Sequence, residues 1–179
     1  MMNKRLDKLL DPELIKKNLM LASLFIAGYE MLKTFVVEDV KWMYKTGFEE
    51  NGLTFSPDYE RKVLSKHKKV FEASCLWLAE ANAITQDDVK ELQRIREHRD
   101  KVTHDLPTLL VDPDFNIDVS LLRKMKYYVD VLGKFWATIE FETSANEGID
   151  PDQVDYDRIR SGTDLFFEYL VSIADSGKP

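Results

Sequence analysis

DVSLLRKMKYYVDVLGKFWATI, residues 118–139, carries Val119, Leu122, Met125, Val129, Leu132, Phe135, Trp136 and Ile139 along one face. Steps of three and four residues are the signature of an amphipathic helix packed on a core. Asp118 stands just before the run, where a carboxylate can cap the first free amides, and Ile117 and Leu122 occupy the two positions of a hydrophobic staple. Nothing in the stretch alternates with the period of a strand.

The same grammar extends in both directions. Upstream, Thr85-Gln86-Asp87-Asp88 reads as a capping box with Asp in place of Glu, opening a helix with Val89, Leu92, Ile95 and Val102 inside. Pro107 should end it, because the residue before a proline is pushed out of the α region. Asp11-Pro12 opens the first helix, whose apolar positions Leu14, Leu21, Leu24, Phe25, Leu32, Phe35 and Val36 continue to Val40 and Met43. Gly47 to Leu53 reads as a loop. Ser56-Pro57-Asp58 starts a second helix expected to run, with a bend, to Ala83, and Asp150-Pro151 opens a last segment interrupted at Ser161-Gly162. The expected fold is all-α: one domain over residues 1–179, an up-and-down bundle of five or six helices with the one ending near His104 at its centre. Trp42, Trp77 and Trp136 fall in or beside the apolar stripes and are expected in the core.

Composition narrows the class. The chain has 179 residues, and a domain of that size can bury a full core without disulfides. Its one cysteine, Cys75, leaves no disulfide framework and no four-cysteine zinc site, and a reducing compartment fits. A net charge of −7 argues against a general nucleic-acid coat while leaving room for a local basic site. The longest uncharged apolar run, Leu19 to Tyr29, is short for a membrane span, and no signal peptide is evident. The expectation is a cytoplasmic protein with no membrane partner.

Several chemistries fail on spacing. Gly47 and Gly52 have the separation of a phosphate-binding loop, but Leu53 stands where the lysine belongs, and Glu49 and Glu50 would repel a phosphate. Asp112, Asp114, Asn116 and Asp118 alternate like a calcium loop, yet Ile117 replaces the required glycine and Arg123 the closing glutamate. No Glu-x-x-His or His-Glu-x-x-His precedes or spans any of the three histidines. No metal ligand and no cofactor is assigned. Cys75 sits among apolar neighbours and is a poor nucleophile candidate.

One constellation survives. KELQRIREHRDKVTH, residues 90–104, concentrates Arg94, Arg96, His98, Arg99, Lys101 and His104 on an acidic chain. His104 falls in the last turn of its helix, where free carbonyls favour a cation, and an imidazole can act as general acid or base near neutral pH. Arg99 offers a planar cation suited to a phosphate or a developing phosphorane. Five residues of regular helix turn through about 140°, so the two side chains do not share a face unless the helix distorts or a second element or subunit completes the site.

Arg99-Asp100-Lys101-Val102-Thr103-His104 resembles the R-x(4–6)-H signature of HEPN domains, in which a polar residue, often Asn, follows the arginine. The long opening helix around Ser23 to Lys33 is similar in character to that of several HEPN groups. The resemblance implies a metal-independent endoribonuclease, often part of toxin–antitoxin, abortive-infection or other antiviral defence. It implies a homodimer whose two motifs line one cleft, RNA as substrate and an antitoxin or other neutralising protein as partner. Arg99 and His104 would be catalytic, with Asp100 orienting one of them; Arg94, Arg96, His98 and Lys101 would bind RNA. Asp100 departs from the commoner Asn. Leu106 stands where some HEPN toxins carry a modifiable tyrosine, so that form of control is not implied. The rival expectation is a non-catalytic helical adaptor, or a nucleotide-binding regulatory module using the same Arg99 and His104.

Overall fold

The computed structural model describes residues 8, 10–50, 52–112, 114–143, 155, 158 and 160–176. The Asp11 carboxylate accepts from the amides of Glu13 and Leu14 at 3.1 and 3.0 Å, and launches α1 (Pro12–Lys33) with proline in its first turn. The helix continues through a π-helical turn, Thr34–Glu38, into α2 (Asp39–Trp42). Within that turn the Asp39 amide reaches back five residues to the Thr34 carbonyl. After a hairpin, β1 (Lys45–Glu49) and β2 (Gly52–Phe55), come α3 (Asp58–Lys62), a 3₁₀ turn at Leu64–Lys66, α4 (Val70–Glu80), α5 (Gln86–His104), α6 (Leu106–Val111), α7 (Val119–Thr143) and α8 (Gly162–Ser176). The all-α class holds, with five long helical stretches carrying the bundle. The expected opening at Asp150-Pro151 lies outside the described residues.

α1 is the centre of the bundle, where the helix ending at His104 had been expected. It packs on α5, α6, α7 and α8, and the π turn packs on α4 and α7. Phe25, Leu32, Val36 and Val40 are fully buried along it, facing Leu92 and Ile95 of α5, Met125, Val129 and Leu132 of α7 and Phe167 of α8 in one cluster. By length and mean hydropathy, 1.5 over its most apolar window, the stretch Pro12–Trp42 would qualify as a membrane span. Of that window 39% is buried, and the other helices sit on the buried face. A second small cluster, Ala22, Val102 and Leu109, closes the core beneath the end of α5.

Two local expectations are corrected. Of the expected loop, Gly47, Phe48 and Glu49 pair with Thr54, Leu53 and Gly52 in an antiparallel hairpin, with an irregularity between Lys45 and Gly47. β1 is largely exposed (Phe48 is 77% exposed) while β2 is mostly half-buried, and the two strands, five and four residues long, are too short for alternation to mark them clearly. Gly52, at φ +113°, takes a backbone conformation that suits only glycine. The second helix is also broken, at residues 63–69. There His67 is extended, and its Nδ1 accepts from the Lys69 amide at 3.1 Å, a side-chain bond that competes with helix continuation. α4 then ends at Glu80, short of Ala83.

Most other local readings stand as expected. Thr85 and Asp88 exchange the two bonds of a capping box at 3.2 and 2.8 Å. α5 does end at His104, but not through Pro107 as expected: the break falls at Asp105, and Leu106 is itself helical and opens α6 with Pro107 in its first turn. Asp112 and Asp118 serve turns and caps, accepting from the amides of Asp114 and Ser120.

Candidate active site

α5 is α-helical without interruption from Gln86 to His104, and the Asp105 amide closes it on the Lys101 carbonyl at 2.8 Å. Arg99 and His104 are therefore separated by about 140° around the axis and about 7.5 Å along it. The distortion that would bring them onto one face is absent. Within one chain, the two motif residues do not converge.

Arg99 points inward to α1. Its guanidinium lies over the Tyr29 ring, 4.5 Å from the centroid, forms an ion pair with Glu30 and reaches Asp100 Oδ1 at 3.1 Å. Glu30 in turn receives Lys33 at 3.4 Å. On the other side, Asp100 Oδ2 takes Arg96 Nη1 at 2.8 Å, and Arg96 Nε meets Glu72 Oε1 of α4 at 2.7 Å. The result is an alternating chain, Glu72–Arg96–Asp100–Arg99–Glu30–Lys33, that links three helices and carries no net charge. Desolvation disfavours the charged form of Glu30, but the hydrogen bonds and charges of Arg99 and Lys33 together outweigh it and hold the carboxyl below its ordinary range. For Arg99 desolvation opposes the charge, and the Glu30 bond together with the charges of Glu30, Tyr29 and Asp100 overcomes it and strengthens the cation. Asp100 thus bonds both Arg99 and Arg96, one through each carboxylate oxygen.

The remaining basic residues divide into two groups. Arg96 and His98 are turned into the fold. His98 packs edge-on against Phe25 with centroids 4.9 Å apart, and its Nε2 accepts from the Asp118 amide at 3.1 Å. Burial lowers its pKa, so it is a neutral acceptor that fastens the start of α7 to α5. Arg94 and Lys101 are exposed, Arg94 sharing Glu91 and Asp118 at 3.5 and 3.2 Å. Lys101 borders an open groove of about 290 Å³ that also has Asp105, Asp112 and Asp114 on its walls. That groove is too acidic to hold a phosphate by charge alone.

His104 is exposed in the last turn of α5. It is accessible for proton transfer and stands at a helix end that Val102 and Leu109 anchor to the core. Among the described residues, no group of three or more His, Cys, Asp or Glu side chains is placed to hold a metal ion. The Cys75 thiol is buried, and burial raises its pKa, which removes it as a nucleophile.

No family model matches the chain, and no curated protein or solved structure matches it significantly. The site therefore rests on its own residues. Sequence reading missed Tyr29, Glu30 and Glu72. Glu30 is 69 residues from Arg99 in the chain, so only the packing of α1 on α5 pairs them. The available signal was Glu30 itself, a carboxylate interrupting an apolar run.

Proposed function

We propose that this chain is a metal-independent endoribonuclease of the HEPN type, acting as a cytoplasmic homodimer. The observation that carries the reading is the end of α5. There an exposed His104 follows an Arg99 whose guanidinium is held in one orientation by Glu30, Asp100 and the Tyr29 ring. A histidine removes the proton of a ribose 2′-OH, and the oxygen attacks the adjacent phosphorus. The arginine stabilises the added negative charge, and the imidazolium so formed gives its proton to the departing 5′-oxygen. The products are a 2′,3′-cyclic phosphate and a 5′-OH. Because Arg99 and His104 point apart on one helix, the cleft is built between two copies, the arginine of one serving with the histidine of the other. Control by a neutralising protein, as in toxin–antitoxin or antiviral systems, accompanies the reading.

A second reading has its own observation. Arg99 is already neutralised by Glu30 and Asp100, which suits a structural arginine in a non-catalytic adaptor or nucleotide-binding regulatory module. Cleavage decides between them. Purified protein should cut single-stranded RNA in EDTA and leave DNA intact, since DNA lacks the 2′-OH. Arg99→Ala and His104→Ala should each lower the rate about a hundredfold or more. Wild-type protein without activity on RNA, or a double variant as active as wild type, supports the adaptor.

A further inference from the structure

The cation assigned to the transition state is already engaged by the chain itself. From α1, one Glu30 oxygen accepts from Arg99 Nη2 and the other from Lys33 Nζ at 3.4 Å. Two cations from two helices thus converge on one anion. The cluster is partly open to water: the Glu30 side chain is 46% exposed, Lys33 41% and Arg99 23%. Ion pairs at that exposure are weak, so an anion from solution can compete with the carboxylate.

Glu30 fits Arg99 incompletely. Nε and Nη2 form one edge of a guanidinium. Glu30 bonds Nη2 alone, while Nε is buried with no hydrogen-bond partner among the described residues. Two oxygens side by side suit such an edge. When Glu30 leaves, Arg99 keeps its place, because Nη1 stays on Asp100 at 3.1 Å and the guanidinium stays over the Tyr29 ring. Charge then defines the occupant. Glu72, Asp100 and Glu30 balance Arg96, Arg99 and Lys33, so withdrawing Glu30 leaves one positive charge. A phosphodiester restores neutrality and offers two non-bridging oxygens. A free carboxylate offers no more than Glu30 does, and it lacks the local concentration that a tether gives.

We propose that Glu30 is a displaceable stand-in for a nucleic-acid phosphodiester, which takes its place between Arg99 and Lys33. Lys33 is then a phosphate-binding residue contributed by α1, outside the basic run of α5. Glu30 is a brake on the site that the incoming strand releases. That the strand is RNA rests on the nuclease reading above; the exchange of carboxylate for phosphate does not.

The test uses full-length protein and a 2′-deoxy dinucleotide, which has one phosphodiester and cannot be cut. Binding is followed by nuclear magnetic resonance at the Arg99 Nε–H, which should shift as it gains a partner. The reference is the indole N–H of Trp42, a residue expected in the core but 51% exposed, about 18 Å farther along the same continuous helix. Glu30→Gln should bind the dinucleotide about fivefold or more tighter than wild type, because no internal carboxylate competes. Adding Lys33→Ala to Glu30→Gln should weaken binding about threefold or more and flatten its salt dependence. Acetate should bind Glu30→Gln more weakly than the dinucleotide does. On RNA, Glu30→Gln should lower KM by a factor similar to its gain in binding. Wild-type protein that leaves RNA uncut but exchanges Glu30 for the dinucleotide as described removes the nuclease and upholds the phosphate site. Four results would overturn the proposal, even with RNA cleaved by wild type: Glu30→Gln binding no tighter than wild type; no loss on removing Lys33; acetate binding as well as the dinucleotide; or saturation that shifts Trp42 and not Arg99.

Discussion

Glu72 is 3% exposed and faces the Arg96 guanidinium at 2.7 Å, so this pair is held away from water. Removing one member of a buried pair strands the other charge, and Arg96→Ala should destabilise the fold by about 3 kcal/mol in urea titration. Replacing both partners with methionine should recover most of that loss, because the stranded charge disappears. His98 makes a second prediction, with a pH dependence. Its folded pKa lies below the ordinary 6.5, so as pH falls the unfolded chain takes up the proton first. Its contribution to stability is complete above about pH 6.5 and is lost progressively below it. Urea midpoints between pH 5 and 7.5 should therefore fall less steeply in His98→Gln than in wild type. Both residues are basic letters in a basic run, and nothing local separates them from exposed Lys101. The distinction belongs to the facing helices: α4 supplies Glu72, while α1 supplies Phe25.

Helix starts were legible because their signals are local. Asp11-Pro12, Thr85 with Asp88, and Asp118 each satisfy free amides two or three residues away. The hairpin was hard to read by patterning, because its strands are five and four residues long and β1 is largely exposed; a cue was the Asn51-Gly52 dipeptide. The π turn has no signature at all in Thr34-Phe35-Val36-Val37-Glu38, yet it precedes Asp39, a carboxyl whose burial disfavours its charge. Asp39, ordinarily near 3.8 but raised to about 6, holds its proton in the folded chain after the unfolded chain has released it. The stability it contributes is therefore present below about pH 3.8 and lost as pH rises through 6. Asp39→Asn should raise the Tm at pH 7.5 and leave it nearly unchanged near pH 4. An equal effect at both values would mean that the carboxyl is not desolvated as its position implies.

At the scale of the molecule, the class of fold was readable from periodicity, but the centre of the bundle was not. α5 carries the motif, yet α1 carries the contacts, since its apolar positions wrap enough of the helix to meet α5, α7 and α8 at once. The motif itself was readable as letters; that its two residues diverge follows from α5 remaining regular to His104. That divergence makes the proposed nuclease dependent on a second copy. Sedimentation at micromolar concentration should show a dimer, and a monomer with full activity would exclude the shared cleft. The most direct measurement is subunit mixing. Arg99→Ala protein and His104→Ala protein are assayed on single-stranded RNA in EDTA, separately and after exchange of subunits. Each alone should be about a hundredfold or more below wild type. The mixture should recover about a quarter of wild-type activity, because half of the dimers are mixed and each contains one intact Arg99–His104 pair across the interface. Wild-type protein that leaves RNA uncut, or a mixture no more active than its components, would contradict the shared, metal-independent site.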